Sequence, residues 1–146
     1  MMDVAQVPFN NWLGITRVKD GSDYFLELGG SLEFRNHLGT VHASVQFALA
    51  EATSAEYLLV AFPELSGKVL AVVRRVEVKY KAPLKGRIKS KATVPQEETE
   101  RFLGQFRSKG RGLIGIGVEV VDDDATVGLT GRVEWFVQEP SSDQSD

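Results

Sequence analysis

The chain has 146 residues, no cysteine and a formal net charge of −3. That length suits one domain with a core of its own, spanning residues 1–146 with its folded part at about 12–137. The lack of cysteine excludes disulfides, thiolate metal sites and a cysteine nucleophile.

In chain order, residues 1–11 form an extended or helical lead-in with no basic region and no long apolar run. No secretory signal is visible there, and a cytoplasmic protein is expected. Residues 12–18 and 24–28 read as two strands separated by a turn at Asp20-Gly21. Residues 31–40 are a polar approach to the longest apolar stretch, residues 41–62, which holds neither Gly nor Pro and carries only Glu51 and Glu56 as ionic residues. Length and the lack of breakers predict a helix. It is apolar on most sides, with Val41, Val45, Ala48, Ala52 and Leu59 on one arc, so it is expected to be surrounded by protein. It is too short and too interrupted to span a membrane. Pro63 ends it. Residues 69–80 and 87–94 read as strands and residues 95–108 as a short amphipathic helix. Residues 113–121 and 126–137 form a last hairpin around Asp122-Asp123-Asp124. Residues 140–146 are polar and expected to be disordered. Two strands, a long helix and four strands, with no βαβ alternation, predict an α+β fold with an antiparallel sheet.

Charge is distributed unevenly. Residues 66–111 contain 13 basic and 4 acidic residues, a net +9, and the remainder carries −12. Such a segment attracts anions such as a phosphorylated ligand, and equally suits the solvated faces of strands.

This architecture, together with Asn36-x-x-Gly39-x-x-His42 and Glu51 nine residues past the histidine, resembles the hotdog fold and, more narrowly, the PaaI-like acyl-CoA thioesterases. The run from Val76 to Gly86 is similar to the strand, Pro-containing turn and Gly of that superfamily. The chain departs in two places: Ala43 stands where the family usually has Gly after the His, and residues 95–108 exceed a simple turn. The resemblance implies a sheet curled around one central helix, thioester hydrolysis, no resident cofactor (coenzyme A enters as part of the substrate), and composite sites in a homodimer or a dimer of dimers.

The residues suit that chemistry. The N–H of Ala43, at the helix start, can meet a developing oxyanion. His42 can assist at the carbonyl. Asn36 can position water or the carbonyl oxygen, or simply make a turn. Glu51 is the candidate base or nucleophile, although a half-exposed helix position without a role fits it too. Nine helical residues put His42 and Glu51 on opposite sides of one helix, roughly 13.5 Å apart along its axis, so a shared site needs two chains. Glu56 is given no role and is the control for Glu51. Thr53 and Ser54 suit helical back-bonding. Phosphates of coenzyme A would meet some of Arg74, Arg75, Lys85, Arg87, Lys109 and Arg111. The acyl chain would lie near Phe47, Leu58 and Phe62.

Two rival readings stand: a hotdog hydratase, and a non-catalytic acyl-CoA-binding protein. A nucleic-acid partner fits poorly, because the basic segment lacks interleaved aromatics and the total charge is acidic. No phosphate-binding glycine loop or metal-ligand cluster appears.

Overall fold

A computed structural model describes residues 3–140; the tail expected to be disordered lies, apart from Pro140, outside them. The elements are α1 (Pro8–Leu13), β1 (Thr16–Arg17), β2 (Leu26–Leu28), α2 (Ala43–Ala61), β3 (Leu70–Tyr80), β4 (Ile88–Thr93), α3 (Gln96–Lys109), β5 (Arg111–Asp122) and β6 (Val127–Gln138). All six strands join one antiparallel sheet in the order β1-β2-β4-β5-β6-β3. Alternate residues of β5 and β6, among them Ile114, Ile116, Val118, Leu129 and Val133, point inward and are buried. Ile88, Ser90 and Ala92 of β4 and Leu26 and Leu28 of β2 are buried likewise.

α2 lies across this sheet. The α+β order predicted from sequence therefore holds, with one helix inside a curved sheet. The apolar arc read from the sequence is not, however, the face that meets the sheet. The residues most deeply enclosed are Leu49, Ala50, Thr53 and Ser54, each at 0–1% exposure. Ala50, Thr53 and Ser54 are small, which lets a helix approach a sheet closely. Val45, Ala48 and Leu59 of the arc are only half-buried and line cavities.

The first expected strand is strand only in part: Trp12 and Leu13 end α1, and Thr16 and Arg17 form β1. Residues 12–18 contain Trp12, Ile15, Thr16 and Val18, which favour strands. Yet Pro8 opens α1 at a position where its missing N–H costs nothing, and Gly14 closes it in the left-handed conformation (φ 89°). Only Thr16 and Arg17 pair with β2.

The segment expected as an amphipathic helix is α3, and its placement has a clear physical cause. β4 pairs with β5 only from Gly117 to Asp122. Before Gly117, β5 has lost its neighbour on that side, and its N–H groups need acceptors. α3 supplies them from side chains. Glu98 accepts from the Gly115 N–H at 2.8 Å, and Gln105 accepts from the Leu113 N–H at 3.2 Å. Phe102 is fully buried beneath the helix and meets Phe62, at the end of α2, edge-on at 5.3 Å between ring centres.

Glu98 also takes Arg101 at 2.6 Å and Arg132 at 2.9 Å. Burial pushes its carboxyl upward, but the Gly115 bond and the two guanidinium groups outweigh this and hold it below its ordinary 4.5. A carboxylate depressed in the folded state stabilises the protein above its ordinary value and loses that contribution as pH falls through the folded value. Glu98→Gln is therefore expected to destabilise the protein by about 1–2 kcal/mol at pH 7. The gap from wild type should close as pH falls below 4.5. Urea unfolding at several pH values measures both; a gap that does not depend on pH would mean the charge contributes nothing.

Candidate functional site

The loop from Asn36 to Thr40 prepares the N-terminus of α2. The Asn36 side-chain oxygen accepts from the N–H groups of Leu38 (2.9 Å) and Thr40 (3.1 Å), and its amide nitrogen donates to the Thr40 hydroxyl at 2.9 Å. Gly39, at φ 77°, completes the turn. The Asn36 amide is thus committed largely to its own loop, the turn-forming role open to Asn. His42 is the N-cap of α2: its Nδ1 accepts from the Ser44 N–H at 3.0 Å. That bond fixes the proton of the neutral ring on Nε2, which faces outward on an exposed side chain. Ala43 follows as the first helical residue, also exposed. No acceptor among the described residues takes its N–H, so one donor of the helix end points to open space with the positive end of the helix dipole behind it. His37 is an exposed loop residue.

Glu51 lies two and a half turns further on. It is half-buried and forms no hydrogen bond or ion pair among the described residues. Its side chain lines a cavity of about 460 Å3 running along α2 between the N-terminal segment, β3 and β6. The other walls are largely apolar, among them Ala52, Ala55, Leu59, Val69 and Trp135. Leu58 and Phe62, expected beside an acyl chain, line it; Phe47 does not. An unpaired carboxylate in such surroundings is unusual for a residue whose only task is structural.

Glu56, one turn later, contrasts with it. It is only 8% exposed and receives a two-pronged contact from Arg17: Nε donates to Oε1 at 2.9 Å and the terminal nitrogen to Oε2 at 2.8 Å. Arg17 also reaches Asp3 at 2.7 Å. The bond from Glu56, opposed by desolvation and aided by Asp3, holds the guanidinium well above its ordinary range. Glu56 thus ties α2 to β1 and the lead-in. Ser54 donates to the Glu51 carbonyl at 2.6 Å and accepts the Trp135 indole N–H at 2.9 Å, which anchors one cavity wall to the helix. The Thr53 hydroxyl is buried and has no protein partner, so back-bonding is found for Ser54 alone.

His42 lines a second, more open cavity of about 900 Å3, together with Phe9, Trp12, Phe34 and Val45. Only Phe9 and Ala48 belong to the walls of both. Within one chain the structure therefore gathers Asn36, His42 and Ala43 at the helix start and leaves Glu51 in a separate cavity. Arg17, which sequence reasoning passed over, is 39 positions from Glu56 and gave no local signal.

A sheet wrapped round one long helix, with a capped helix N-terminus facing outward, is the hotdog fold. Residues 14–137 match the family described as a domain of unknown function, DUF4442, and the chain belongs to that family. Similar solved structures include a Pseudomonas aeruginosa protein of unknown function described as a probable thioesterase (TM-score 0.77, 19% identity, 94% of this chain and 91% of the other). They also include a thioesterase from Haemophilus influenzae (0.68, 17%, 93% and 86%). A Bacillus halodurans protein solved with CoA is a third (0.62, 18%, 88% and 74%). These identities establish likeness of fold. No protein of curated function matches the sequence.

The two glutamates should behave oppositely in thermal melts. Glu56→Ala removes the buried half of an ion pair whose arginine is 40% exposed and can rehydrate. A loss of about 1–2 kcal/mol is expected, a fall in Tm of roughly 3–8 °C. Glu51→Ala removes a carboxylate with no partner and should melt no lower than wild type. An equal fall in both variants would make Glu51 a structural residue.

Proposed function

We propose that this protein hydrolyses acyl-CoA thioesters to a carboxylate and free coenzyme A, at a site shared between two copies of the chain. The observation that carries this reading is the half-buried, unpartnered Glu51 carboxylate in an apolar cavity. The fold supports it, since similar structures include a thioesterase and a protein holding CoA.

In this reading the thioester carbonyl oxygen lies against the Ala43 N–H, with the outward Nε2–H of His42 beside it. Glu51 of a second copy takes a proton from water as the water oxygen attacks the carbonyl carbon, or attacks that carbon itself to form a mixed anhydride that water hydrolyses after the thiolate has left. Negative charge builds on the carbonyl oxygen, where the helix N–H and dipole meet it. The C–S bond then breaks, and the thiolate leaves and is protonated. Asn36 acts through the loop it holds, which fixes the first turn of α2.

The two-copy arrangement has support beyond spacing. β3 is an edge strand of 11 residues with one side unpaired. Leu70, Val72 and Tyr80 on it are about half exposed or more. A long unpaired edge can add a strand from another chain, and a second β3 across a two-fold axis would satisfy it.

A second reading, an acyl-CoA-binding protein without turnover, is favoured by one observation: the Asn36 amide is largely occupied within its loop. Thiol release over an acyl-CoA panel separates the two. Hydrolysis should fall at least about 100-fold in Glu51→Ala and stay near wild type in Glu56→Ala. Binding of acyl-CoA without thiol release would transfer the case to the second reading.

Ala43→Pro gives a sharper test of the oxyanion donor. Proline suits the first position of a helix, and His42 before it is already extended (φ −62°, ψ 137°). The variant should fold normally yet lack the N–H, with kcat reduced about 100- to 1000-fold. Unchanged kcat would remove Ala43 from the mechanism. Mixing inactive Ala43→Pro and Glu51→Ala chains, with exchange of subunits, should then restore about a quarter of wild-type activity, because half the dimers would each hold one complete site. No recovery after proven exchange would place the whole site in one chain.

A further inference from the structure

The proposed thioesterase site accounts for His42, Ala43 and Glu51. It leaves unexplained a third cavity, of about 300 Å3, lined by Arg35, Lys85 and Gly86 among others. This cavity shares Leu28, Gly29, Gly30, Ser31, Phe34 and Val45 with the one that holds His42. The two are therefore one groove leading away from the start of α2, with Arg35 and Lys85 at its far end.

The groove end is built by contacts between distant segments. Arg35 pairs with Val41 as an isolated bridge, and the Val41 N–H donates to the Leu84 carbonyl at 2.9 Å, which sets Lys85 beside them. Gly30 rests on Gly86: a Cβ at residue 30 would stand 2.9 Å from the Gly86 backbone. Only glycine fits, and this part of the wall stays bare. Glu33 lines the adjoining cavity at the His42 end of the groove, and buried Asp122 is directed to backbone. It accepts from the N–H groups of Lys85 (3.5 Å), Asp124 (3.0 Å) and Thr126 (3.1 Å) and does not line the cavity.

The charges at this end are uncompensated. Arg17, Arg75, Arg87, Lys91, Arg101 and Arg132 each face a carboxylate. Arg35 and Lys85 have no such partner among the described residues, and the acid of the groove, Glu33, lines its His42 end and not the cavity that holds them. A guanidinium and an ammonium over bare backbone suit a phosphate group, which takes a forked donor and a point charge together. Lys109 and Arg111, also considered from sequence, sit where α3 meets β5 and line none of these three cavities.

We propose that Arg35 and Lys85 bind a phosphate of the thiol that leaves, and so select phosphorylated thioesters over simple ones. This rests on the thioesterase reading for its substrate. The phosphate belongs either to the nucleotide end of coenzyme A or to the phosphopantetheine arm that coenzyme A shares with acyl carriers.

The experiment compares wild type, Arg35→Ala and Lys85→Ala on three thioesters of one acyl group: the acyl-CoA, the acyl-phosphopantetheine and the acyl-N-acetylcysteamine, which has no phosphate. Each variant should raise KM for acyl-CoA about tenfold with kcat retained, and leave N-acetylcysteamine turnover unchanged. Higher salt should narrow the gap. A matching rise on acyl-phosphopantetheine assigns the phosphate of the arm; a rise on acyl-CoA alone assigns the nucleotide. Equal losses on all three thioesters, or no loss on any, overturn the proposal. If wild type cleaves none of them, calorimetric titration with coenzyme A decides. Binding about tenfold weaker in both variants upholds the phosphate site although the hydrolase reading has failed. Equal binding in all three proteins, or none in wild type, overturns the site too.

Discussion

A helix laid on a sheet has one face to bury and others to spare, and the arrangement of this molecule depends on how α2 divides them. Leu49, Ala50, Thr53 and Ser54 are the most deeply enclosed, and the small side chains of Ala50, Thr53 and Ser54 allow close contact with the strands. Other apolar residues of α2 line cavities. Val45 and Ala48 face one cavity, and Ala48, Ala52 and Leu59 face another. Apolar surface turned toward open space gains free energy only when something covers it, at about 25 cal/mol per Å2. Either a second chain or an apolar ligand would do so, and an acyl thioester at a dimer interface combines the two.

The same division places the two glutamates. Glu56 lies toward the sheet and the lead-in, where Arg17 neutralises it. Glu51 lies toward the cavity, where nothing does. Their difference is angular, half a turn of one helix, and it separates a structural ion pair from a chemically available carboxylate. α3 shows the complementary economy at the sheet. Where β4 stops, side chains of Glu98 and Gln105 take over the hydrogen-bonding work of a strand, and Phe102 braces Phe62 at the end of α2. The additional segment thereby braces Phe62, which lines the cavity in which Glu51 sits.

Much of this was legible from residues alone, for reasons that differ by element. α2 was visible because nineteen residues without a breaker leave few other conformations. β3 to β6 were visible because one-sided burial imposes a period of two. α1 falls largely within the lead-in, residues 1–11, whose sequence suits helix and extended chain alike; only its end, Trp12 and Leu13, reads as strand, since the strand propensities of Trp12, Ile15 and Val18 outweigh the Gly14 stop. The orientation of α2 was misjudged for a deeper reason: hydropathy reports which face avoids water, and a face can avoid water by meeting ligand or partner as well as core. The spacing from Asn36 to Glu51 identified a helix N-terminus and a carboxylate correctly as features. It carried no information on the Asn36 amide, whose bonds close a five-residue loop, nor on Arg35, a lone cation in an acidic half of the sequence.

The groove and cavities form a gradient that matches one kind of molecule. At one end is a largely apolar cavity with Glu51 in its wall. In the middle stand the capped helix end and His42, behind Phe9 and Ala48, the residues common to both spaces. At the other end two cations face no acid. A hydrocarbon tail, a carbonyl and a phosphate occur in that order along an acyl thioester of a phosphorylated thiol. Within one chain the track passes Ala43 and Glu51 at positions too far apart to share a carbonyl, roughly 12 Å along α2. The tail cavity, the oxyanion donor and the carboxylate cannot all serve one substrate unless two chains meet.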